Sequence, residues 1–189
     1  MTPNELELSP STAKVSSRGV IIFLISEFFL FGSLFFVYYY LRVVSGIWPP
    51  ADVQLSMFRP VLNTVLLLTS SVTMAAGLRS WRKNDIRSMI KFLGITIGLG
   101  IAFLGITVWE WTSETFQPWS HAYGSIFFTL TGFHAMHVLG GVLLMLALVT
   151  RANHGGITPA SRSVELGSWY WHYVDAVWIL VFTSIFIVR

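Results

Sequence analysis

Cysteine is absent from this chain. That single absence excludes disulfides, iron–sulfur clusters, thiolate-bound copper and cysteine-type zinc sites. Charge is scarce as well. Only 11% of the 189 residues are charged, where soluble domains carry about 25%. Together with a hydrophobic content of 54%, this places the chain among membrane proteins before any residue is considered. The net charge of +3 comes from basic residues gathered in loops. It therefore reports topology, and no nucleic-acid partner is expected.

Long apolar runs are what the chain has instead. A spanning helix needs about 20 mostly apolar residues. Five segments meet that length: about Gly19 to Leu41, Pro60 to Leu78, Ser88 to Trp109, Tyr123 to Thr150 and Trp169 to Val188. The loops between them, "SGIWPPAD", "RSWRKNDIR", "EWTSETFQPWSH" and "RANHGGITPASRSVE", are short and rich in turn formers. None could fold into a domain of its own. The expected fold is all-α, a polytopic membrane protein of five transmembrane helices. Residues 1–17 are expected to form a flexible polar tail, and residues 18–189 one five-helix domain. The tail does not read as a signal peptide, because a full-length span runs straight on into "YYYLR". No internal repeat is present.

Positive charge orients the bundle. Lys14, Arg18, Arg79, Arg82, Lys83, Arg87, Lys91, Arg151 and Arg162 share one side, against Arg42, Arg59 and Arg189 on the other. The N-terminus is expected in the cytoplasm and the C-terminus outside.

Ionisable groups inside the spans carry the chemistry, because each costs several kcal/mol unless it faces protein or water. Glu27 lies nine residues beyond Arg18, roughly 13 Å deep at 1.5 Å per residue. His134 and His137 sit halfway along the fourth span at i, i+3, on one helical face. A zinc or copper site wants about three or four ligands, and the other histidines do not complete a set. The pair is therefore expected to bind one helix to another, with Glu27 at similar depth as its partner. His172 and Asp175 are again i, i+3, and are expected to satisfy each other. Gly94 and Gly98, with Ser26 and Ser33, are small residues that would let helices approach closely. The basic second loop is expected to contact anionic lipid.

The strings "SEFFLFGSLFFVYYYLR", "NTVLLLTSSVTM", "YGSIFFTLTGFHAMHVLGG" and "WYWHYVDAVWILVFTSIF" resemble, in order and spacing, the signature helices of cytochrome c oxidase subunit III. The resemblance covers roughly residues 18–188. Longer members have seven spans, and this chain resembles the five-span form. Losing two helices keeps the orientation read from charge.

The resemblance implies a subunit of a haem–copper terminal oxidase in a bacterial inner (plasma) membrane, a complex that reduces oxygen to water and pumps protons. Its partners would be the catalytic subunit I, subunit II and other respiratory-complex subunits. Haem and copper would reside in those partners and none on this chain. Structural phospholipid would lie in a cleft between helix groups, with helices one and two forming one group and three to five the other. Glu27 matches the intramembrane glutamate of the family's "SE-F-F" motif, which reacts with carboxyl reagents and lies near that cleft. His134 and His137 match "FHxxH", His172 and Asp175 match "WHxVD", and Glu110 and Glu165 fall at positions resembling family acids. No catalytic or metal-binding residue is implied. The same fold serves quinol oxidases and some nitric oxide reductase systems, and a proton-linked transporter is a further alternative.

With no native thiol, single-cysteine variants report topology cleanly. A membrane-impermeant maleimide added to intact cells should label Ser120→Cys, and should label Lys83→Cys only after permeabilisation. The opposite pattern would reverse the orientation.

Overall fold

The computed structural model describes residues 10–157 and 162–188, with side chains from residue 17 onward. The first nine residues of the expected tail lie outside the described residues. Five helices follow in order: α1 Pro10–Ser45, α2 Phe58–Arg82, α3 Ile86–Ser113, α4 Ala122–Asn153 and α5 Ser163–Phe182. A π turn, Thr183–Ile187, continues α5. There is no strand among the described residues. All five helices are long and apolar enough to cross a membrane, so the chain is an all-α multi-pass membrane protein. α1 reaches back to Pro10, so residues 10–17 of the expected tail are helical.

The turns explain the neighbours. Only Lys83–Asp85 separates α2 from α3. Asn84 takes a left-handed φ of 61° there. Asp85 caps α3 by accepting from the Ser88 N–H at 3.1 Å, and the Ser88 bonds hold its carboxyl below the usual range. At the end of α4, Gly155 has φ 72° and the Gly156 N–H donates to the Arg151 carbonyl at 2.8 Å, closing the helix.

Four helices make a ring: α2 packs on α3, α3 on α4, α4 on α5, and α5 back on α2. α1 stands outside it, against α4 and α5. The expected grouping of the first two helices apart from the last three is therefore not what forms. The tight α2–α3 turn commits α2 to the ring, whereas residues 46–57 leave α1 free to sit elsewhere. The core lies inside the ring, around Trp171, Trp178, Phe103, Phe127, Leu67 and Met74. On α1, only Ser17, Phe31 and Tyr38 are buried among the described side chains. With half-buried Leu24, they recur every seven residues, the seam of a shallow left-handed crossing. Phe28, Phe29 and Phe36 face outward.

Close approach falls on different glycines from those expected. Gly94 and Gly98 have no atom within 4 Å of a would-be Cβ. They miss the buried stripe of α3, which runs through Leu93, Thr96, Ile97, Gly100 and Phe103. Tight helix contacts fall at Gly77, where a Cβ would come within 2.6 Å of Leu93 Cδ1, and at Gly100 and Gly141, where it would come within 3.0 Å and 2.7 Å of the Trp171 ring. Ser26 and Ser33 turn back to carbonyls of their own helix.

Gly141→Ala should therefore lower stability by about 1–3 kcal/mol through overpacking. Gly94→Ala should be neutral or slightly stabilising. Thermal unfolding in detergent compares them, and equal losses would contradict this packing.

Candidate functional site

Glu27 on α1 meets His137 on α4, with 2.8 Å between Oε2 and Nε2. Each side chain is 14% exposed. The other ring nitrogen of His137 lies 2.6 Å from the Phe133 carbonyl. A carbonyl can only accept, so Nδ1 carries a proton. The bridge to Glu27 then holds one proton more, on Oε2 or on Nε2. In either form the pair is neutral overall, which is how a carboxylate and an imidazole can share a hydrocarbon setting. Phe31 packs edge-on to the imidazole at 5.0 Å, and the Tyr170 hydroxyl of α5 donates to the His137 carbonyl at 2.9 Å. Three helices thus converge on one shared proton.

His134 does not join this bridge. One turn away, it points into the ring, fully buried. It packs edge-on to Phe103 at 5.5 Å and tilted against Trp178 at 5.0 Å. The histidine pair expected as one unit is split, because the narrow contact with α1 admits only His137 and leaves His134 to the bundle core.

The direct His172–Asp175 pair is also not made. His172 Nδ1 lies 2.7 Å from the Ser71 hydroxyl on α2. Ser71 is likewise the polar neighbour of Asp175. The two residues share a face of α5 and both turn to α2 instead of to each other. α5 begins at Ser163, six residues before the predicted start.

The remaining acids mark the two ends. At the basic end, Glu165 bonds the Arg162 Nε at 2.9 Å and lies 3.6 Å from Arg82. Arg162 also donates to the Ser17 hydroxyl at 3.2 Å. This cluster ties α1, α2 and α5 together. At the opposite end Glu110 is 1% exposed. Nearby, burial pushes the Glu114 carboxyl up against the pull of Arg59, whose guanidinium lies 4.7 Å over the Trp109 ring.

Sequence reasoning missed the far anchor of α1. The Tyr38 hydroxyl donates to the Ser184 carbonyl at 2.8 Å, and Tyr39 meets the Ser184 hydroxyl at 2.9 Å. The signal was present in the register, since Tyr38 follows Phe31 by seven. The wide turn at Thr183–Ile187 that receives Tyr38 left no comparable mark. α1 is thus pinned at Ser17, Glu27 and Tyr38. Between the first two pins, beside the stacked rings of Phe23 and Tyr170, its packing leaves a cavity of about 440 Å³. Val20 and Phe23 of α1 line it, with Gly140 and Leu144 of α4 and Gly167 and Tyr170 of α5, and Arg151 at its edge.

Comparison with known proteins fits this arrangement. Residues 10–188 match the family described as "Cytochrome c oxidase subunit III". The chain belongs to that family. It is 36% identical to cytochrome c oxidase subunit 3 of Thermostichus vulcanus over 171 residues, covering 89% of this chain and 85% of that protein. Against the probable cytochrome c oxidase subunit 3 of Mycobacterium tuberculosis, identity is 36% over 179 residues, or 92% and 88% of the two chains. The lancelet Branchiostoma lanceolatum protein is 33% identical over 177 residues, 89% of this chain and 68% of its own. Among the described residues no group of three or more His, Cys, Asp or Glu is placed to hold a metal ion. In this chain Glu27 and His137 join α1 to α4.

A double-mutant cycle checks that docking. Glu27→Ala and His137→Ala should each lower thermal stability, with an interaction energy of roughly 1–3 kcal/mol between them. Strictly additive losses would mean the bridge does not hold the helices together.

Proposed function

We propose that this chain is the non-redox third subunit of an aerobic haem–copper terminal oxidase in a bacterial plasma membrane. It sits beside the catalytic subunit, holds a phospholipid and supports proton uptake. The observation that carries this reading is a family match over residues 10–188 in a chain whose intramembrane acid and imidazole meet at 2.8 Å. Haem and copper, in partner subunits, would carry the electrons and the oxygen. Relatives named for cytochrome c oxidase favour cytochrome c over quinol as the donor.

The cavity behind α1 suits an acyl chain. Its walls are aliphatic and aromatic, and the Arg151 guanidinium at its edge would bind a phosphate as a charge-assisted hydrogen-bond donor. A lipid seated there would fill the space that the pinned α1 cannot close. The Glu27–His137 bridge borders the same helices and holds one exchangeable proton. Donating that proton leaves the pair with one negative charge, which a proton taken up from the basic end of the bundle, on the cytoplasmic side in this reading, returns to neutral. The outward phenylalanines of α1 offer an apolar face to lipid or a neighbouring subunit.

Affinity purification of the tagged chain from its own membranes in mild detergent tests this. Haem absorbance should co-migrate in a fixed ratio, the complex should oxidise reduced cytochrome c, and bound phospholipid should fall in Arg151→Ala. A haem-free chain would overturn the assignment.

A further inference from the structure

The ring of α2 to α5 obeys one rule through most of its interior. A hydroxyl donates to a carbonyl one turn back and accepts an N–H from another helix. Thr107 accepts from Asn63 at 3.1 Å, Ser70 from Trp171 at 3.0 Å, Thr64 from Trp178 at 3.0 Å and Thr131 from Trp111 at 3.1 Å.

Four residues of the same interior break the rule. Both ring nitrogens of His134, Oδ1 of Asn63 and Oε1 of Glu110 are buried and meet no protein donor or acceptor, and both carboxyl oxygens of Asp175 are buried with the Ser71 hydroxyl near but outside hydrogen-bond geometry. They are connected through packed neighbours. Asn63 is fixed to Thr107, which lies one turn from Glu110 on one side and one turn from Phe103 on the other. The Phe103 ring touches both His134 and Trp178, at 5.5 and 4.8 Å. Asp175 lies one turn before Trp178. These chain and ring contacts link the four from the end of α3 to the middle of α5.

The chemistry of these atoms names their ligand. Oδ1 of Asn63 can only accept, so it needs a donor. Neutral His134 needs a donor at one nitrogen and an acceptor at the other. Water supplies both functions and fits where two to four polar groups converge. We infer that the interior of the α2–α5 ring binds water at Asn63–Glu110, at His134 and at Asp175. These sites make a hydrated column sealed within the ring. It stands apart from the Glu27–His137 bridge and from the cavity behind α1, and it gives the buried acids and His134 exchangeable hydrogen-bond partners.

X-ray hydroxyl-radical footprinting of the full chain in its native membranes, with peptides read by mass spectrometry, tests the inference. Bound water is the local radical source at buried sites. Phe103 should be oxidised about tenfold faster than Phe127, and Trp178 about tenfold faster than Trp171, because only the first of each pair packs its ring on His134. Phe103 and Phe127 are both fully buried, and Trp171 and Trp178 are 0% and 1% exposed. Equal rates within both pairs would overturn the inference. His134→Leu should bring Trp178 down to the rate of Trp171, and an unchanged Trp178 rate would remove His134 from the column. If that variant does not fold, the wild-type comparison still decides. The readout concerns this chain's own peptides, so it stands or falls independently of whether haem co-purifies.

Discussion

In a hydrocarbon solvent no water is at hand to satisfy a stray N–H or C=O, so each polar side chain must find its partner inside the protein. That constraint organises this molecule. The serines and threonines of the ring are anchored to their own helix by a backward bond and still have a lone pair to offer across the interface. The indoles and Asn63 use those lone pairs. Each such bond replaces an interaction that water would otherwise supply, at about 1–2 kcal/mol or less. Close packing adds the rest, as where Leu93 lies against Gly77 and Trp171 against the bare backbone of Gly100 and Gly141.

α1 follows a different logic. Its contact seam is narrow, and most of its apolar surface faces outward. It is held at three points: a cluster at Ser17 and Arg162, the shared proton of Glu27 and His137, and the tyrosines at Ser184. A helix pinned at points and not along its length leaves a gap between the pins. The aliphatic cavity lined by Val20 and Phe23 is that gap. The cavity and the Glu27–His137 contact therefore arise from one geometric fact, the attachment of α1 to the ring at separated points.

The split of the two histidines shows how one motif can serve two purposes. His137 couples α1 to the ring and stays neutral with Glu27 by sharing a proton. His134, one turn earlier, is enclosed by aromatic rings and needs a small polar ligand. The same division separates the acids. Glu165 belongs to a solvent-side cluster with Arg82 and Arg162, whereas Glu110 and Asp175 belong to the interior.

The residue string alone determined the all-α class, the number of spans, the basic and acidic ends, and the meeting of Glu27 with the histidine motif. These follow from run length, charge and depth, which are one-dimensional properties set by the thickness of the membrane. Which helix neighbours which was decided only in three dimensions, by the three-residue turn Lys83–Asp85 and the freedom of residues 46–57. So was the choice of close glycines, because a shift of one residue around α3 separates Gly94 from the buried stripe. Spacing of i, i+3 correctly put His172 and Asp175 on one face, but could not say that Ser71 waits opposite. It put His134 beside His137 too, but a helical face spans a wide arc. The crossing of α1 over α4 divides that arc between a bridge and a core.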